Sequence, residues 1–125
     1  GSYVHDGSHV EGPVQGITTA PLFLDVHLPA NADFEHRIPK ELNAFVYLFE
    51  GALEIGGPMR AIPKQAAIVL GDGDLLKAKA GAEGAQFIVL AALPLHEPVV
   101  QYGPFVMNTR AEIEQAIDDY QNNRF

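Results

Sequence analysis

An antiparallel all-β barrel or sandwich, followed by one amphipathic α-helix, is the fold class that this sequence predicts. Three observations carry the prediction. Short apolar stretches recur with strand-type patterning from Leu22 to Ala92. Clusters of Gly, Pro, Asn and Asp punctuate them at frequent intervals, as in all-β domains built from many short strands. Only at the carboxyl end does the apolar spacing become helical, with Ile113, Ala116, Ile117 and Tyr120 at i, i+3, i+4 and i+7.

Residues 1–20 are rich in Gly, Ser and Thr and show no periodicity, so they read as a leader or linker. Leu22–Leu28 alternates, with Leu22, Leu24, Val26 and Leu28 on one face and Phe23, Asp25 and His27 on the other. That is the pattern of a half-buried strand. Pro29–Asp33 is a turn cluster, and Phe34–Ile38 is a short strand stopped by Pro39. Ala44–Phe49 is dense in aromatic and β-branched residues, Gly51 interrupts it, and Ala52–Ile55 resumes. Gln65–Leu70, Leu75–Ala80 and Gln86–Ala92 are further strands, with Gly71-Asp72-Gly73-Asp74 as a tight reversal. The stretch Glu97–Thr109 holds two prolines and Gly103, which rule out a helix or an inner strand and suggest an extended strap. Thr109 and Glu112 then have capping-box spacing at a helix start. The resulting organisation is a leader at 1–20, a β-domain with its strap at 21–106 and a helix at 107–125 packed on that domain.

A chain of 125 residues encloses one core but not two. Sixteen acidic against eight basic residues give a formal charge of −8, and no two basic residues are adjacent. That sign disfavours direct binding to nucleic acid. The absence of cysteine excludes disulfides and thiolate chemistry. The longest apolar run, Phe87–Ala92, is too short to span a bilayer, and no basic-then-apolar leader is present. A cytoplasmic protein without membrane contact is the expectation.

The segment Glu97-Pro98-Val99-Val100-Gln101-Tyr102-Gly103-Pro104-Phe105-Val106-Met107-Asn108-Thr109, with Asp119–Phe125 after it, closely resembles the carboxyl end of the pirin family, and the similarity extends back to about Gly12. Pirin-like proteins carry two cupin barrels in tandem. The resemblance implies that this chain is the second: a cupin-type jelly roll with a carboxyl-terminal helix. It further implies that iron belongs to an amino-terminal cupin lying outside these residues. The intact family is similar to quercetin 2,3-dioxygenases, which open a flavonol in an iron-dependent reaction.

Cupin motifs converge three histidines and a carboxylate on a divalent metal. With Gly51 as the glycine of the first motif, the carboxylate position falls on Ala44. The histidine pair falls on Arg37 and Pro39, or on Ile38 and Lys40 with the shorter spacing. Gly71-Asp72-Gly73 takes the turn of the second motif, which puts its histidine position on Leu76. None of these carries a usual metal ligand, so the resemblance implies a cupin frame without a metal, catalytic or cofactor site of its own.

Other candidates have plainer readings. His36 reads as a solvated surface histidine. Asp25 and His27 share a face but lack a third ligand. His5 and His9 lie in the leader, and His96 and Glu97, as neighbours on an extended segment, point to opposite sides. Gly71–Asp74 lacks the ligand spacing of a calcium loop. Tyr102 and Phe105 read as anchors of the strap.

Three functions follow as expectations. The first is a metal-free scaffold and interaction domain without catalysis of its own, partnered by an amino-terminal cupin or by a second copy in a homodimer. The second is a share in an iron-dependent, quercetin 2,3-dioxygenase-like enzyme whose metal lies outside this chain. The third is a metal-free cupin that binds a small molecule.

Overall fold

The computed structural model describes residues 1–5 and 7–124, without the side chain of His5. The chain divides into two compact units, Gly1–Pro94 and Leu95–Phe125. Residues 1–20 therefore group with the strands that follow them, and residues 95–106 group with the helix.

The first unit opens with an antiparallel hairpin, β1 (Ser2–His5) and β2 (Ser8–Glu11). Its main sheet contains β3 (Leu22–Leu28), β4 (Asp33–Arg37), β5 (Asn43–Ile55), β6 (Arg60–Ile62), β7 (Ala66–Val69) and β8 (Leu75–Ala92). Two long strands, β5 and β8, pair antiparallel at its centre. On the outer side of β8 lie β3, against Ala85–Ala91, and β4, against Leu75–Lys79. On the outer side of β5 lie β7 and β6. Among the described residues no ladder joins β3 or β4 to β6 or β7, so the pairing remains open.

The two long strands are continuous where the sequence suggested a break in each. Glycine bulges replace the breaks. In β5 the buried positions are Ala44, Val46 and Leu48 before Gly51, and Leu53 after it. In β8 they are Leu76, Ala78 and Ala80, then Ala85, Phe87, Val89 and Ala91. Both strands therefore switch parity at the same level, where the register shifts between Leu48 and Glu50 and again between Gly51 and Leu53. A strict two-residue period would turn one half of each strand inside out, and inserted residues in a bulge correct this while bending the strand. Gly51 (φ +79°) and Gly84 (φ +82°) occupy the left-handed region there. A Cβ on Gly51 would lie 2.2 Å from the Gly84 carbonyl oxygen, and one on Gly84 would lie 2.6 Å from that of Leu28. Only glycine satisfies both demands.

Among the described residues the core is wholly apolar and is centred on Val46, Leu48, Leu53, Phe87 and Val89, with Leu24, Val26, Leu28 and Phe34 packed against it. Phe34 meets Phe87 edge-on at 5.6 Å between ring centroids.

The second unit is a hairpin and a helix. The expected strap is instead β9 (Val100–Tyr102) paired with β10 (Phe105–Met107) around Gly103-Pro104. Gly103 has φ +56°, the sign that a two-residue hairpin loop requires at its first central position. The prolines exclude only an inner strand, and a two-stranded ribbon escapes that restriction. Asn108 Nδ2 donates to Glu97 Oε2 at 3.0 Å and to the Pro98 carbonyl at 2.9 Å, tying the two ends of the segment together.

Helix α1 (Arg110–Gln121) starts at the predicted cap. The Glu112 amide donates to Thr109 Oγ1 at 3.3 Å and the Thr109 amide donates to Glu112 Oε2 at 2.8 Å, completing the capping box. Ile113 and Ala116 are buried, whereas Ile117 is half-buried and Tyr120 is exposed with its ring edge toward Phe105. Among the described residues no helix is long and apolar enough to cross a membrane.

Candidate functional site

The four motif positions separate into two places in the first unit. Arg37, at the end of β4, is exposed and pairs with Asp74 at 3.2 Å. Pro39 is exposed beside it. Both line a wide cleft of about 1300 Å³ formed with parts of residues 1–22. Ala44 and Leu76 are buried and line a different cavity of about 560 Å³, bounded by β5, β6, β7 and the start of β8. Ile38 and Lys40, the positions given by the shorter spacing, line that same cavity.

Only the shorter spacing therefore brings all four positions to one place. Strand alternation accounts for this. Ile38 is buried, with its amide bonded to the Asp74 carbonyl at 3.0 Å, and this turns the Arg37 and Pro39 side chains outward. Of the motif positions only Arg37 and Pro39 reach the larger cleft, whose walls mix Asp33, Glu35, His36 and Glu41 with Arg37 and Lys77.

Metal fit can be judged from the donors present. The side chains of Ile38, Ala44 and Leu76 have no lone pair to offer, and Lys40 carries an ammonium head that donates but does not accept. These residues do not fit a divalent metal, which in an iron cupin needs imidazole and carboxylate ligands. Among the described residues no group of three or more His, Asp or Glu is arranged to hold a metal ion.

The remaining candidates are dispersed. Asp25 and His27 contact each other at 3.2 Å on the exposed face of β3. His9 lies exposed on β2, and His96 is exposed in the second unit. The side chain of His5 lies outside the described residues. His36 is half-buried rather than fully solvated, because the amino-terminal hairpin lays Tyr3 on it, stacked at 4.9 Å between ring centroids.

A feature that motif counting does not reveal lies on the outer face of the main sheet. Register places Phe23 opposite Leu90, Leu90 opposite Phe45, and Phe45 opposite Val69. This apolar row crosses four strands. Phe23 is 61% exposed, Phe45 39% and Val69 82%, so much of the row faces outward uncovered.

The comparisons with known proteins agree with this architecture. Residues 23–125 match the family model of the pirin C-terminal cupin domain. The chain belongs to the pirin C-terminal cupin family. Among pirin relatives it is 42% identical over 114 residues to a Pseudomonas aeruginosa protein named "Putative quercetin 2,3-dioxygenase", covering 89% of this chain and 39% of that one. It is 38% identical over 121 residues to Pirin-1 of Arabidopsis thaliana, covering 94% of this chain and 42% of the relative. A crystal structure of a quercetin 2,3-dioxygenase from Acinetobacter baumannii superposes with a TM-score of 0.81 at 28% identity, covering 99% of this chain and 42% of that one. The chain thus spans about two fifths of the length of the pirin relatives it matches.

Proposed function

We propose that this chain is the metal-free second cupin of a two-cupin, pirin-like protein, a jelly-roll barrel that serves as scaffold and interaction surface without catalysis of its own. The observation that carries the reading is the cavity where the motif positions meet. Ile38, Lys40, Ala44 and Leu76 stand there in place of imidazoles and a carboxylate. On this reading any flavonol-opening activity of the longer protein, and its iron, reside in an amino-terminal cupin outside this chain. The row Phe23–Leu90–Phe45–Val69 supports the interaction role, since folded monomers seldom expose contiguous apolar surface of this kind. Its partner is that first cupin or a second copy of the chain. The test is flavonol turnover by the purified chain supplied with iron(II). Background rates are expected, and turnover that saturates with iron at one equivalent contradicts the reading.

A second reading has its own support. The cavity at the motif positions mixes isoleucine and leucine side chains with polar groups and has a volume suited to a small molecule, so a metal-free binding role is compatible with the first.

A further inference from the structure

We infer that the cavity at the motif positions binds a small amphipathic carboxylate, with its apolar body against Ile38, Ile55 and Ile68 and its carboxylate on Lys40 and Arg60. The inference rests on the small-molecule reading above and names the ligand class that the lining selects.

Size comes first. A volume of about 560 Å³ lies within the range of pockets that enclose small organic ligands. The walls set the body of the ligand. Beyond the three isoleucines named, Leu76 and Ala44 are buried at the cavity and present only hydrocarbon. An apolar body packs against these side chains, while Asn43, Asp72, Lys40 and Arg60 supply a polar part of the same lining.

Charge sets the head group. The charged residues at the cavity are Lys40, Arg60, Lys77 and Asp72. Lys77 already pairs with Glu35 on the neighbouring strand at 3.3 Å. Lys40 and Arg60 have no carboxylate partner among the described residues. That is notable in a chain of net charge −8, where acidic groups outnumber basic ones two to one. Both side chains are exposed, so their aliphatic stems border the cavity while their heads reach water. An anionic head at the mouth therefore stays partly solvated and meets an arginine fork suited to a carboxylate. A polyanion such as a nucleotide is disfavoured, because two cations face a strongly negative molecule.

The experiment is titration of the full chain with 1-naphthaleneacetate, its neutral analogue 2-(1-naphthyl)ethanol and its cationic analogue 2-(1-naphthyl)ethylamine, followed by calorimetry and amide chemical shifts. The carboxylate is expected to bind once per chain, about tenfold tighter than the alcohol, with the amine weakest. Lys40→Met combined with Arg60→Met, which removes the charges and keeps apolar stems, is expected to bring the carboxylate down to the affinity of the alcohol. Because both residues are exposed, this variant retains the fold, which an unchanged melting temperature checks. Ile68→Trp is expected to weaken all three by filling the cavity. If the alcohol binds as tightly as the carboxylate, or the double variant changes nothing, the carboxylate assignment is overturned while small-molecule binding stands. If none of the three binds, both fall together.

Discussion

Thr109 shows how much one side chain can decide. Its hydroxyl accepts the Glu112 amide while the Glu112 carboxylate reaches back to the Thr109 amide, so two otherwise unpaired donors are satisfied. Thr109→Ala is expected to cost about 0.5–2 kcal/mol, measured by urea unfolding followed through helical circular dichroism. The other end of the helix answers a problem visible in the sequence. Asp118 and Asp119 lie at the negative end of the helix dipole, where carboxylates are unfavourable. Arg124 turns back and pairs with both, meeting Asp119 at 3.0 Å. The apolar stripe was legible only in part. Ile113 is buried as its spacing implied, but its companion in the interior is Ala116, while Tyr120 remains 68% exposed. Ile113→Ala is accordingly expected to cost about 2–5 kcal/mol and Ile117→Ala distinctly less, by the same unfolding measurement. Equal costs would place the buried face elsewhere on the helix.

Among the elements, the bends of β5 and β8 organise the first unit. Gly51 and Gly84 lie at the level where both strands change the parity of their buried residues, and backbone meets backbone too closely there for any Cβ. Gly51→Ala combines a left-handed backbone with that collision. It is expected to cost more than the roughly 1–3 kcal/mol of the backbone strain alone, read as a lowered midpoint in thermal unfolding. A shift within error would show that the bulge relaxes freely. The sequence made most strands legible because their alternation is strong. Leu22–Leu28 places its leucines and Val26 inward as expected. Other elements lacked such a signal. Strand β6 has only three residues and no room for a period. The amino-terminal hairpin is exposed along β2 and so shows no inward face, although Asp6-Gly7 between two short runs is a recognised hairpin dipeptide. In the Gly103-Pro104 segment the two prolines exclude only a helix or an inner strand, which leaves an unpaired strap and a two-stranded ribbon equally open. The cavity was legible as a set of replaced ligand types but not as a place. The choice between the two motif spacings depends on which way Ile38 faces, and burial decides that.

At the scale of the whole molecule, two surfaces carry the account. The row Phe23–Leu90–Phe45–Val69 crosses four strands and stays largely uncovered. Phe87–Ala92 is apolar on both faces of its strand, and half-buried Ile88 and Leu90 lie on the outer side of that strand. The isolated chain is expected to self-associate, with Phe23→Ser and Phe45→Ser together shifting light scattering across a dilution series toward the monomer. A strictly monomeric mass at high concentration argues against a second copy as the partner.

The second surface is the cavity on which the motif positions of the shorter spacing, Ile38, Lys40, Ala44 and Leu76, converge. Elemental analysis of the purified chain, after loading with iron(II), copper(II) or zinc(II) and passage over a chelating resin, tests the central claim most directly. With Ala44, Leu76 and Ile38 unable to donate and Lys40 offering only a cation, far less than one metal per chain is expected to remain. Retention of about one equivalent, lost on substitution of residues lining that cavity, would contradict the account.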